Sequence, residues 1–203
     1  MTNKKKVNHP IKKIVLAAGR SNRFGEKNKL SEIINGKPII NNILDTLLKT
    51  FASSELIVIV GHEYKEITNL INNEDVKILK NIKYKKGIGT SISLAIKNLE
   101  RNIQGVMIIP ADMPYITSMD LINLEKTFLE YNCEKVIMPQ HNLQTGNPLV
   151  LPKIYFNILK SLNDDFGAKS LIKKKDIVNC KTGVGTIIDI DTRDDLTVEK
   201  SKF

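Results

Sequence analysis

Seven short runs of apolar and β-branched residues punctuate the chain: KIVLAAG, ELIVIVG, VKILKN, GVMIIPAD, KVIMP, GNPLVLP and TIIDID. Their length and composition predict strands. Between most of them the apolar positions recur with a helical period. Over Pro38 to Phe51 the residues Ile39, Ile40, Ile43, Leu44, Leu47 and Leu48 share one face, and over Thr90 to Glu100 Ile92, Ala95, Ile96 and Leu99 do the same. Leu121 to Tyr131 and Pro152 to Leu162 repeat the pattern. Strands that alternate with helices pair in parallel through right-handed crossovers, which predicts a three-layer α/β/α fold around a mostly parallel, Rossmann-like sheet. Ligands of such sheets bind beyond the carboxyl ends of the strands. No internal repeat or linker interrupts the pattern, so residues 11–203 are expected to form one domain behind a flexible basic tail of residues 1–10.

Charge changes this picture little. With 203 residues, 41% of them hydrophobic, the chain can bury a sizeable core. Its formal net charge of +9 raises nucleic acid as a partner. The lysines are scattered, however, and they do not alternate with aromatic residues as on a base-stacking surface, so no nucleic-acid partner is expected. Cys133 and Cys180 lie far apart, without the spacing of a zinc site, and read as free or buried thiols. The polar start MTNKKKVNHP is no signal peptide, and no apolar run approaches the ~20 residues of a membrane span; a cytoplasmic protein is expected.

The candidate chemistry lies at strand ends. After KIVLAAG comes a glycine turn with Arg20, Arg23, Lys27 and Lys29, where small residues let backbone N–H groups approach an anion. This reads as a phosphate cradle, although it is neither a Walker A loop nor a GxGxxG fingerprint. Asp112 ends the strand GVMIIP, where a carboxylate either caps the next turn or holds a metal, and taken alone the cap is favoured. GIGTSISL opens a helix in which Ser91 either caps the end or hydrogen-bonds a base edge. His62 and His141 lack a Ser, Cys or Asp arrangement for nucleophilic catalysis and read as surface or loop histidines.

The stretch LAAGRSNRFGEKNKL resembles the signature LAAGxSxRxGxxK of the MobA-like NTP transferases, nucleotidyltransferases that activate sugars, alditol phosphates and pterin cofactors. GIGTSISLAI, IIPADMP and GNPLVL follow in the order that family implies. DDFGAKSLI with IDIDTRDDL is most similar to the molybdenum cofactor cytidylyltransferase branch, whose pattern resembles GDxGAR followed by DIDTPED. The resemblance runs from Ile14 to Leu196, and it implies a sheet of the nucleotide-diphospho-sugar transferase type.

The roles that follow are implied by the resemblance. Gly19, Arg20 and Ser21 hold the β- and γ-phosphates with Arg23 beside them, while Lys29 reaches the transferred phosphate and Lys27 is its rival. Asp112 holds Mg²⁺, together with Asp189 or Asp191, which are expected to part onto opposite sides of their segment; Asp189 is favoured. Leu16, Ala17, Ala18, Gly61, Gly89 and Ser91 bind the nucleotide. LAAG, where the guanylyl branch reads LAGG, points to CTP. Asn147, Asp165, Gly167 and Lys169 form the acceptor side, with Asn147 where the branch often has histidine and Lys169 where it has arginine. That exchange keeps a positive charge and loses a bidentate fork.

The expected reaction is Mg²⁺-dependent transfer of CMP from CTP to the phosphate of molybdopterin, with release of pyrophosphate and a molybdoenzyme or its accessory protein as partner. An acceptor phosphate is ionised near neutral pH and needs no dedicated base. Sugar or alditol phosphates are the alternative acceptors, and a non-catalytic nucleotide or cofactor carrier is the alternative of another class.

Overall fold

The computed structural model describes residues 10–21, Phe24 and residues 28–198. The tail expected at the N-terminus lies, apart from Pro10, outside the described residues. In chain order the elements are β1 (Ile11–Ala17), β2 (Ile33–Ile34), β3 (Lys37–Pro38), α1 (Ile39–Thr50), β4 (Leu56–Val60), α2 (Tyr64–Leu70), β5 (Lys77–Lys80) and α3 (Ile88–Lys97). They continue with β6 (Gly105–Pro110), α4 (Ser118–Glu130), β7 (Val136–His141), β8 (Gln144–Thr145), β9 (Leu149–Pro152), α5 (Phe156–Lys160), β10 (Ile177–Lys181) and α6 (Asp195–Val198). The main sheet runs β10-β7-β9-β6-β1-β4-β5, with β8 paired to β7. Pairing is parallel throughout except where β9 meets β6 and β7, and where β8 folds back on β7.

Alternation along the strands explains the layers. Ile11, Val15 and Ala17 of β1 face a core built with α1, α2 and α4, while Ile14 and Ala18 face a second core with α3 and α5. Ile14, Val15 and Ile43 are completely buried, and each such side chain contributes about 1.5–3 kcal/mol relative to exposure. Lys13 follows the same alternation and is buried too. Its ammonium is held by Glu125 at 2.6 Å and by Glu55, and lies 3.9 Å above the Phe51 ring, so the charge is matched at the closed end of the sheet.

Two local devices set the entries to the helices. Asn35 and Gly36 both take positive φ and turn the β2–β3 hairpin, which Asn42 of α1 ties down by donating to the Ile34 and Pro38 carbonyls. Asp120 completes a capping box with Thr117 at the start of α4, and its second oxygen accepts from Gly183 N at 2.6 Å.

Two expectations are corrected. TIIDID forms no strand: Val184–Ile187 is a 3₁₀ turn, and the chain after it meets the end of β6 through a backbone bond from Ile190 N to the Asp112 carbonyl, 2.9 Å. The cause lies in the neighbours, because the Thr186 carbonyl that a ladder would use accepts instead from Asn147 N at 2.9 Å. The helix predicted over Pro152 to Leu162 is a 3₁₀ turn at Lys153–Tyr155 followed by the short α5. Both cysteines are free. Among the described residues no helix is long and apolar enough to cross a membrane.

Candidate functional site

Parallel strands β1, β4, β5 and β6 all end at the same edge, with β1 between β4 and β6, and there a cavity of about 650 Å³ opens. From the end of β1 it is lined by Leu16, Ala18, Gly19, Arg20 and Ser21. Lys29, Asp112 and Asp191 form one wall, and Ser91 with the segment Tyr84 to Ile88 another. Asp165 completes the rim.

Lys29 is placed by its own turn. The Asn28 side chain accepts from Leu30 N at 3.1 Å and caps the 3₁₀ turn Lys29–Ser31, while Lys29 N donates to Ser21 Oγ at 3.2 Å. Ser21 thus serves to position the lysine backbone. The ammonium then lies 2.6 Å from Asp112 Oδ2 and 2.9 Å from Asp191 Oδ1. Burial alone would depress its pKa, but the two carboxylates outweigh burial and hold it above the ordinary lysine value.

Carboxylates accumulate on this wall. Ile190 is fully buried, and Asp189 and Asp191 flank it on the same side, as an i, i+2 pair in extended chain must; the expected separation onto opposite sides does not occur. Asp191 shares Lys29 with Asp112 and lines the cavity. Asp189 is exposed beside it, and partial enclosure of its carboxyl followed by the charges of Asp112 and Asp191 pushes its pKa up. Asp195 anchors the segment by accepting from Asp191 N at 2.9 Å and Thr192 N at 2.7 Å. Burial opposes its charge, but these bonds prevail and lower its pKa.

This wall suits a divalent cation. Asp112 Oδ1 is buried and has no hydrogen-bond partner among the described residues, although the other oxygen of the carboxylate is paired with Lys29. Among the described residues no three His, Cys, Asp or Glu side chains form a ready-made metal cluster. Mg²⁺ does not need one, since it is usually held by one or two carboxylates together with substrate phosphates and water.

The glycines of GIGTS serve a purpose other than the one expected. Gly87 has φ of 120°, and a Cβ there would lie 2.4 Å from Asp165 Cα; at Gly89 it would lie 2.7 Å from the Asp164 carbonyl, to which Gly89 N already donates. They make room for the chain's own DDFG loop, and of the two Gly87 also lines the cavity. Gly61 likewise leaves space for Tyr84 and Ala18, since a Cβ would lie 2.7 Å and 2.8 Å from theirs. None of Gly61, Gly89 and Ala17 lines the cavity, and Ala17 turns its methyl into the core on the far side of the sheet.

Sequence reasoning passed over Tyr84, Lys85 and Lys86. In KYKKG they look like a solvated lysine run, and the only signal was the glycine pair that follows. On the acceptor side only Asp165 lines the cavity. Asn147 is held by its backbone to Thr186, and Gly146 beside it has no room for a Cβ, which would sit 1.8 Å from the Thr186 oxygen. Gly167 and Lys169 flank the rim without lining it, and partial enclosure lowers the Lys169 pKa against the opposing pull of Asp189. Arg23 and Lys27 lie outside the described residues. His62 packs against the Tyr84 ring at 5.8 Å, and His141 contacts the Thr182 carbonyl at 3.1 Å through Nδ1.

The sequence matches the MobA-like NTP transferase domain over residues 13–178. The chain belongs to the MobA-like NTP transferase family. It is 28% identical over 173 residues to the bifunctional protein GlmU of Pseudothermotoga lettingae, a match covering 84% of this chain and 37% of that protein. The chain thus spans under two fifths of that relative's length. Among solved structures it resembles the manganese complex of Rv0371c from Mycobacterium tuberculosis H37Rv (TM-score 0.74, 18% identity, 94% of this chain and 97% of that one). It also resembles molybdopterin-guanine dinucleotide biosynthesis protein A from Archaeoglobus fulgidus (TM-score 0.66, 19% identity, 95% and 100%). At these identities the structures speak for the fold, a mostly parallel sheet between helices of the nucleotide-sugar transferase type.

Proposed function

We propose that this chain is a Mg²⁺-dependent cytidylyltransferase that transfers CMP from CTP to the phosphate of molybdopterin and releases pyrophosphate. An acceptor phosphate oxygen forms the new bond to the α-phosphorus while the bond to the β-phosphate breaks, so catalysis is positioning and charge compensation. The observation that carries this reading is the Lys29–Asp112 pair, 2.6 Å apart, on the wall of a cavity opened by the Gly19 turn.

In this reading the backbone of Gly19 to Ser21 and the side chains of Arg20 and Arg23 take the β- and γ-phosphates, and Lys29 takes the transferred phosphate. Lys29 is within reach of the carboxylates, so one ammonium neutralises them before substrate binds and the phosphate afterwards. Asp112, through its unpartnered Oδ1, and Asp189 would hold the cation; the manganese in the Rv0371c complex supports a divalent metal in this fold. Bound Mg²⁺ supplies charge neutralisation of the triphosphate and polarises the phosphoryl oxygens. Ala18 and Ser91 would face the base and Asp165 the acceptor, while Gly167, Lys169 and Asn147 would meet the acceptor outside the cavity lining. The molybdopterin named for the A. fulgidus protein supports a pterin acceptor; a molybdoenzyme or its accessory protein would then receive the product.

The test is incubation with each of the four NTPs, Mg²⁺ and a panel of molybdopterin, sugar phosphate and alditol phosphate acceptors, reading pyrophosphate. Release confined to CTP with molybdopterin is expected. Release with another pair reassigns the substrates, and binding of CTP without release under any pair leaves a carrier.

A further inference from the structure

We infer that Asn81 is a positioning residue that turns the Ser91 hydroxyl proton toward the nucleotide base and thereby sets the choice between cytosine and uracil. The inference rests on the nucleotide reading of the cavity above. Asn81 directly follows β5, is 4% exposed, and does not line the cavity itself.

Its amide orientation is fixed by a neighbour that can only donate. Lys83 N gives its proton to Asn81 Oδ1 at 2.9 Å, so the NH₂ group faces the other way, toward α3. There it donates to Thr90 Oγ1 at 2.8 Å and to Ser91 Oγ at 2.9 Å, which satisfies both of its protons. Thr90 passes its own proton back to the Gly87 carbonyl at 2.8 Å. Ser91 differs from Thr90 in two respects: no acceptor among the described residues takes its proton, and the residue lines the cavity at 3% exposure. A hydroxyl that already accepts from a fixed amide presents its proton to whatever sits in the cavity.

Base chemistry turns this into a preference. Cytosine offers two edge acceptors, the ring nitrogen at position 3 and the carbonyl at position 2. Uracil shares the carbonyl, but its ring nitrogen carries a proton. A donor aimed at the ring nitrogen therefore pairs with cytosine and leaves two protons facing each other with uracil, an arrangement that buried sites penalise.

Asn81→Asp reverses the polarity without changing the shape, because a carboxylate accepts where the NH₂ group donated. The Ser91 proton then turns back toward that carboxylate, and a lone pair faces the cavity. Binding of the non-hydrolysable α,β-methylene analogues of CTP and UTP is measured by calorimetry in the wild type, Asn81→Asp, Asn81→Ala and Ser91→Ala, with thermal unfolding recorded for each. The wild type is expected to prefer the cytosine analogue, and Asn81→Asp to shift the ratio toward uracil by about tenfold or more. Asn81→Ala frees the hydroxyl to turn either way, so its ratio should fall to that of Ser91→Ala; this comparison stands even if the charged variant does not fold. An unchanged ratio in a folded Asn81 variant that still binds nucleotide overturns the inference alone. Wild-type protein that binds neither analogue overturns the nucleotide reading with it.

Discussion

Lys29 Nζ lies 2.6 Å from one oxygen of Asp112, while the other oxygen of that carboxylate is buried without a hydrogen-bond partner among the described residues. A buried carboxylate oxygen left unpartnered is costly in a site with no further ligand and useful in one that awaits a cation.

Asp112→Asn should therefore abolish turnover and leave the fold intact, because it removes charge at nearly constant volume. Its thermal unfolding midpoint should lose the rise that Mg²⁺ or Mn²⁺ gives the wild type through binding to the folded state. A variant that still shifts with metal and still releases pyrophosphate removes Asp112 from the metal wall.

Lys29→Ala is expected to lower kcat/KM by about 10²-fold or more, in line with the loss of one preorganised donor to a developing charge. Its electrostatic signature is separate. The folded state holds the Lys29 proton more tightly than the unfolded chain, so the stabilisation it contributes is fully present below the ordinary lysine value of 10.5 and is lost as pH rises through the higher folded value. Denaturant titrations across that alkaline window should show a steeper fall for wild type than for Lys29→Met. If Lys27→Ala carries the catalytic loss instead, the alignment of GEKNKL with the signature shifts by two residues.

Much of this was legible because burial and sequence period coincide. The strands β1, β4 and β6 and the helix α1 bury the residues that the pattern selects, and Asp112 follows from its place after β6. TIIDID misled because alternation is also what an extended segment shows when it crosses a strand end through a backbone hydrogen bond, with Ile190 buried and the aspartates outward. The glycines of GIGTS misled for another reason. Glycine reports that something comes close, and only the fold reveals that the visitor is the backbone of Asp164 and Asp165. Asn81 gave no local signal, since the three hydrogen bonds of its side chain reach residues on both sides of a loop.

Gly87→Ala tests that reading of the glycines. At φ of 120° an alanine is strained wherever it points, and here its methyl would meet the Asp165 backbone at 2.4 Å. Backbone strain alone costs about 1–3 kcal/mol, and displacement of the 164–166 loop adds to it. Chemical denaturation should show a loss at least that large, together with weaker acceptor binding through Asp165. A neutral substitution means that the loop does not lean on the glycine.

In the proposed reading, base size is decided at Ala18. Ala17 points into the core and cannot take part, whereas Ala18 lines the cavity and is backed by Gly61 and Tyr84, so its methyl has nowhere to retreat. A wall that excludes by bulk alone discriminates by ~1–3 kcal/mol, or 10–200-fold. Ala18→Gly should therefore raise kcat/KM for GTP relative to CTP within that range while lowering the CTP value less, measured with a fixed acceptor. Wild-type protein that already prefers GTP shows that the Ala18 methyl does not exclude a purine. An unchanged ratio in the variant moves the exclusion of purines away from the Ala18 methyl to the loop around Ser91.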